Sequence, residues 1–238
     1  MKSKTVAIVQ SCYIPWKGYF DLINLVDEFI LFDDRQFTRR DWRNRNRIKT
    51  PQGSTWLTIP VEVKGRYHQR IDETVVSEPR WAERHWRSLL QNYAASARFD
   101  TYRDRVEGLY RQVANEPRLS HINRTFLEAA CELLGIGTKL TWSTDYEAEG
   151  AKTARLVSLC LAAGATAYVS GPRAREYVEE QLFTEAGIEL SYTSYDGYPE
   201  YDQLHPPFDH FVTILDLLFN TGAEAPRYMK TLAAADER

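Results

Sequence analysis

Seven fixed cations, Arg35, Arg39, Arg40, Arg43, Arg45, Arg47 and Lys49, fall within one short segment that also holds Gln36, Phe37, Trp42, Asn44 and Asn46. The whole chain has a formal net charge of only −3, so this density is local. Guanidinium forks match phosphate and carboxylate oxygens in pairs, and amide side chains add donors. Gln36, Trp42, Arg43, Asn44, Arg45, Asn46 and Arg47 therefore read as a site for an anionic substrate. The competing reading is a solvated basic loop; a tryptophan among the cations argues against it.

A second group of reactive side chains lies upstream, in Gln10-Ser11-Cys12-Tyr13-Ile14-Pro15-Trp16-Lys17. Cys12 directly follows an apolar run, in a loop where a thiol can be reached. It is either a covalent nucleophile or a small loop residue beside which an amine attacks its acyl donor directly. Cys131 and Cys160 sit among Leu and Ala on helical faces and read as core. Gln10 can donate to a carbonyl oxygen or simply cap its strand. Tyr13 and Trp16 offer a platform for a base or sugar ring, or pack their own loop. Asp33 and Asp34 end a strand whose alternation turns one carboxylate towards the site, and Asp34 is the expected catalytic or amine-contacting group. His85, near Trp81 and Trp86, is a candidate base or a satisfied structural histidine, and His205 a weaker candidate base. Ser170-Gly171-Pro172-Arg173 reads as a turn into a helix whose free amides suit an anion.

The elements that must position these groups alternate. Thr5–Val9 and residues 28–32 are short, apolar and β-branched or aromatic, as strands buried on both faces are, and residues 19–26 between them have helical spacing. That order is a βαβ unit with a parallel strand pair. Residues 55–63 alternate like an edge strand interrupted by Pro60. Residues from about 80 to 135 read as helices, ended by Gly135 as a C-cap. Strands at 139–142, 167–169 and 188–192, with helices between, complete the pattern. The expected fold is α/β and Rossmann-like, a mainly parallel sheet with a helical insertion, in one domain over residues 1–238. In such a sheet the Gln10 loop, the segment after Asp33 and the Ser170 turn converge at the carboxyl ends of the strands.

Composition removes several classes. There is no apolar run long enough for a membrane span and no hydrophobic leader pattern, so a cytoplasmic protein is expected. Three scattered cysteines make no disulfide framework and no zinc spacing. A pI near 6.0 argues against general nucleic-acid binding.

Gln10-x-x-Tyr13-x-Pro15-Trp16-x-Gly18-Tyr19-Phe20, then Asp34-x-Gln36 and Trp42-x-Asn44-Arg45-Asn46-x-Ile48, resemble the signature of the WbqC-like family. The resemblance extends through Trp81-x-x-x-His85, Tyr168-x-Ser170-Gly171 with Tyr177, Tyr201-x-Gln203 and residues 208–222. It covers nearly the whole chain and implies a role in building or decorating a nucleotide-linked sugar of a polysaccharide such as O-antigen. The opening order is also similar to that of nucleotidylyltransferases, but residues 15–19 lack the two histidines that bind a triphosphate, so nucleotidyl transfer is not expected.

Together these readings lead to a transferase that passes an acyl or aminoacyl group from a thioester to an amino sugar or other amine. Cys12, His85, Asp34 and Gln10 are its candidate catalytic residues. The amine must lose a proton, the oxyanion needs donors, and both substrates bring phosphates to the arginines. No tightly bound cofactor is expected; the donor would be linked to coenzyme A or to the phosphopantetheine of an acyl carrier protein, and the acceptor would be a small amine or nucleotide sugar. Neither nucleic acid nor membrane is an expected partner. A cysteine-dependent thioesterase, or a binding module for a carrier protein or sugar nucleotide, remains the alternative.

Overall fold

The computed structural model describes residues 3–233. Its centre is a five-stranded sheet of β1 (Thr5–Val9), β2 (Glu28–Leu31), β5 (Lys139–Trp142), β6 (Ala167–Ser170) and β7 (Glu189–Tyr192). Every neighbouring pair is parallel, in the order β5-β2-β1-β6-β7. This is the open, doubly wound α/β arrangement expected from the alternating pattern.

Strand alternation divides the core in two. Ala7, Phe29 and Leu31 face α1 (Lys17–Asn24), the helices of the insertion and α7 (Ile214–Thr221); Val6, Ile8, Ile30 and Tyr168 face α5 (Lys152–Ala162) and the Phe183 side chain of α6 (Glu180–Glu185). The helix between β1 and β2 thus covers one face and the helix between β5 and β6 the other. Strand order reverses between β1 and β6.

The connection from β2 to β5 carries the hairpin β3 (Arg45–Thr50) and β4 (Gly53–Thr58), then α2 (Trp81–Tyr93), α3 (Phe99–Val113) and α4 (Leu119–Leu134). The three helices lie where the insertion was expected, and Gly135, at φ 72°, is the left-handed C-cap of α4. Two expectations need correction. The strand placed at 55–63 is β4, which stops at Thr58; Val61 forms only an isolated bridge to Val76. Its antiparallel partner is β3, inside the basic segment itself, with Arg47 opposite Trp56.

Behind the hairpin, α7 is held by a buried polar knot. Asp216 accepts hydrogen bonds from the hydroxyls of Tyr93 (2.7 Å) and Tyr201 (2.8 Å) and from the Gln203 amide (3.0 Å). Tyr93 in turn accepts from the backbone N–H of Lys49. The tail of the chain is thereby fastened to both α2 and β3. No helix among the described residues is long and apolar enough to cross a membrane.

Candidate active site

In an open parallel sheet, a ligand crevice forms beyond the strand ends where the order reverses. Here that point lies between the loop after β1 and the turn after β6. The β1 loop is held from below by Ser11, whose backbone N–H and hydroxyl donate to the two oxygens of Asp33 at 2.8 and 2.7 Å. The Asn123 amide, from α4, donates to Ser11 Oγ and to the Arg43 carbonyl, both at 2.9 Å. Tyr13 N–H donates to the Trp42 carbonyl, and the Asn46 amide donates to the carbonyls of Tyr13 (3.1 Å) and Ile14 (2.6 Å). Ile14 has φ 41°, a left-handed conformation that a β-branched residue adopts only under constraint. The basic segment therefore shapes the loop that carries Cys12.

Arg43 reaches back under that loop. Its Nη1 is 2.9 Å from Cys12 Sγ and 3.3 Å from the Gln10 carbonyl, while Nη2 lies 3.6 Å from the Asp41 carboxylate. Tyr19 donates to the same Gln10 carbonyl at 3.0 Å. The guanidinium contact does not depress the thiol pKa. Burial pushes Cys12 up from the ordinary 9.0, and the lowering effect of Arg43 does not overcome it, with Asp41 and Asp33 adding to the rise. At rest the sulfur is a thiol held against a guanidinium.

The opposite wall comes from the loops after β6 and β7. A Cβ on Gly171 would sit 3.2 Å from the Tyr195 hydroxyl, so the glycine admits that ring. Burial, with a smaller effect of nearby Cys12, pushes Tyr195 up to about 12. Exposed Tyr177 is raised by burial of its hydroxyl and opposed by Arg43. Trp16 packs edge-on to Tyr195 at 5.1 Å, and its ring covers Gly18 so closely that a Cβ there would lie 2.3 Å away. Thiol, guanidinium and one carboxylate are thus linked through Arg43 at the switch point, with the Tyr195 phenol against Gly171 across it.

Other candidate residues lie elsewhere. Tyr13 is fully buried, with its hydroxyl 2.9 Å from His85 Nδ1 and 2.7 Å from the Tyr110 hydroxyl. His85 Nε2 is 3.1 Å from the Thr58 carbonyl, so both ring nitrogens are occupied, and burial brings its pKa down to about 4. That is the satisfied structural histidine. Asp34 is bound by Arg35 (2.7 Å), Arg155 (3.0 Å) and Ser143 (2.8 Å), and these partners bring its pKa below the ordinary 3.8 against the opposing pull of burial, the largest single effect. It ties β2 to β5 and α5, and it is Asp33 that turns towards the β1 loop.

The cationic segment also divides. Asn44 donates to the Ile59 carbonyl, and Gln36 donates to the Tyr67 carbonyl. Arg45 lies 4.0 Å over the Trp56 ring, and Arg47 lies 5.9 Å from both Trp42 and Trp56 while donating to the Phe211 carbonyl. These two indoles, 39% and 41% exposed, face solvent on the outer side of the hairpin. Ser170 accepts from Tyr168 within the core, and Arg173 is exposed. The expected helix after Gly171 is a five-residue 3-10 turn, Pro172–Glu176, too short to hold an anion at its N-terminus. His205 Nε2 is 2.8 Å from the Asn92 carbonyl. Sequence reasoning missed Asp41, Tyr19, Asn123 and Tyr195. Asp41 carried a signal as a carboxylate embedded among the arginines, and Tyr19 one as part of the Gly18-Tyr19-Phe20 signature.

Asp33 gives this site a pH signature. It is 1% exposed, and burial raises its pKa from the ordinary 3.8 to about 6 despite both Ser11 bonds. A raised folded-state pKa contributes stability in full below pH 3.8 and loses it as pH climbs to about 6. Wild-type protein should lose about 2 kcal/mol between pH 4.5 and pH 7 by urea unfolding, relative to Asp33→Asn over the same interval. Parallel pH profiles of the two proteins would reject this assignment.

A doubly wound α/β protein with a thiol–guanidinium pair at its switch point is the class that fold and site define. The chain belongs to the WbqC-like protein family, which it matches over residues 10–228. It is 55% identical over 227 residues to a Mycobacterium tuberculosis protein titled "Uncharacterized protein Rv1507c", covering 95% of this chain and 98% of that one. No solved structure matches the chain significantly.

Proposed function

We propose that the protein is an acyl- or aminoacyltransferase that takes its group from a thioester, holds it on Cys12 and delivers it to an amine. The observation that carries this reading is the 2.9 Å contact between Cys12 Sγ and Arg43 Nη1 at the switch point. Attack of the Cys12 thiol on the donor forms one C–S bond and breaks another, and the proton of Cys12 leaves with the donor thiol. No net proton is taken up, but the thiolate is the attacking form, so the buried thiol must give up its proton as it attacks, and Arg43 stabilises whichever sulfur carries charge. The amine then forms the amide C–N bond as the Cys12 C–S bond breaks, and its surplus proton restores the thiol. His85 and Asp34, the bases that direct attack by the amine would use, are engaged elsewhere.

The outer hairpin face supports the same reading. Arg45 and Arg47, stacked on exposed Trp56 and Trp42, offer charge and aromatic surface to the phosphate-bearing arm of a coenzyme A or carrier-linked donor, or of a nucleotide-sugar acceptor. A cytoplasmic setting would keep Cys12 reduced.

The test is mass spectrometry with the N-acetylcysteamine thioester of acetate or glycine. Donor alone should leave one acyl group on the peptide containing Cys12, and adding a primary amine should discharge it as amide. Steady release of free acid without amine would make the protein a thioesterase. Donor binding with neither adduct nor turnover would leave a binding module.

A further inference from the structure

We infer that Asp41 is the group that receives the acceptor amine at this site and removes its proton. The inference rests on the transfer reading above and assigns the acceptor half of it. One guanidinium spans two reactive groups: Arg43 Nη1 touches Cys12 Sγ at 2.9 Å and Nη2 faces Asp41 Oδ2 at 3.6 Å. A carboxylate and the acylated sulfur would thus stand on adjacent nitrogens of the same side chain.

The other carboxylates near the sulfur are committed. Asp33 is buried and accepts both Ser11 bonds, and Asp34 is held by Arg35, Arg155 and Ser143. Asp41 differs in both respects. Its side chain is 30% exposed, and Oδ1 accepts the Trp42 N–H at 2.7 Å, which fixes the rotamer while Oδ2 has only the long contact to Arg43. It follows the left-handed Arg40, φ 59°, so its position is set by a constrained turn.

Amines are mostly protonated near neutral pH and must shed that proton to attack. An ammonium group entering the crevice would pair with Asp41 beside Cys12. The ammonium first gives one proton through Asp41 to water; the free amine then attacks the thioester carbon, a second proton passes from nitrogen to Asp41, and the C–S bond breaks. Asp41 then returns a proton to the Cys12 thiolate, which Arg43 has stabilised meanwhile. Thioester and amine become amide and thiol, and the carboxylate is regenerated. The acceptor class follows: a primary amine that arrives as a cation, such as an amino sugar.

Asp41→Asn keeps an oxygen for the Trp42 N–H, so it isolates the charge. With acetyl-N-acetylcysteamine as donor, the two half-reactions are followed separately, using 2-aminoethanol or hydroxylamine as acceptor. Hydroxylamine is already mostly unprotonated at neutral pH and needs no base to free its lone pair, so only the later proton transfer from nitrogen to sulfur remains. The variant should acylate Cys12 within a few-fold of wild type, pass acetate to 2-aminoethanol about 100-fold more slowly, and serve hydroxylamine almost normally. Asp41→Glu should recover part of the 2-aminoethanol rate. If wild type acylates Cys12 and Asp41→Asn transfers to both acceptors at wild-type rates, the role falls and the transfer reading stands. Equal loss with both acceptors, or loss of acylation, would make Asp41 a support for Arg43 only. If wild type never acylates Cys12, both fall together.

Discussion

Cys12→Ser is expected to fold like the wild type and to lose acyl transfer by about 10³-fold or more, with no acyl group recovered on residue 12. The side chain is nearly enclosed, so a hydroxyl of similar size fits, and the Arg43 Nη1 contact at 2.9 Å can be kept. What disappears is the exchange of one thioester for another, because an alcohol is a far weaker acid than a thiol and a far poorer nucleophile towards a thioester at neutral pH. Arg43→Met should produce a related defect by a different route: the thiol remains, but burial would then raise its pKa without the opposing cation. We expect transfer to fall by about 10²-fold, the scale of one electrostatic contact made in the transition state. Cys131→Ser is the control, since that thiol lies in the core of α4 and should leave both adduct and rate unchanged. Near wild-type turnover in Cys12→Ala would return the mechanism to direct attack by the amine.

The largest stability effect is expected at Asp216. It is fully buried, and burial raises its pKa although four side chains, Tyr93, Tyr201, Gln203 and Asn220, donate to it. Truncation to Ala strands the hydroxyls of Tyr93 and Tyr201 and the Gln203 amide in an interior without water. Each unmatched group costs about 1–3 kcal/mol, and partial relaxation brings the sum to about 3–5 kcal/mol. Asp216→Asn keeps one acceptor oxygen and should cost about half as much. Urea unfolding at pH 7 reads both, and a loss below about 1 kcal/mol for Asp216→Ala would mean that the knot carries no weight.

The sheet was legible where burial on both faces left one kind of residue to choose from: β1 and β2 are short, mainly apolar runs of branched and aromatic side chains bounded by turns. β3 was not. Its inward face is Asn46, Ile48 and Thr50, and its outward face is cationic, so the period-2 pattern carries little contrast in hydrophobicity. The amide at Asn46 faces inward because its partners are loop carbonyls, which no local pattern reveals. The choice between Asp33 and Asp34 failed for a similar reason: alternation shows that the two diverge, but not which side holds the β1 loop and which the arginines. Cys12 stood out as a candidate because a cysteine in a loop shortly after a buried strand is conspicuous. Asn123, which braces Ser11 and the Arg43 carbonyl, and Tyr195, which lies against Gly171, come from positions far along the chain, and only the folded topology brings them there.

The exposed indole pair on the hairpin has an optical consequence. Trp81 is sealed in the core, whereas Trp42 and Trp56 stand in solvent with ring centroids 5.1 Å apart, and Trp42 adjoins Arg43 in the chain. Of the six tryptophans these two are the most open to an aqueous quencher such as iodide, and their emission should sit at the red edge of the spectrum. A ligand arm laid over Arg45 and Arg47 would shield them, shift that emission towards the blue and reduce quenching. On the proposed reading the protein would carry its own fluorescent gauge, one that reports occupancy of the hairpin face with no label attached and before any bond is made.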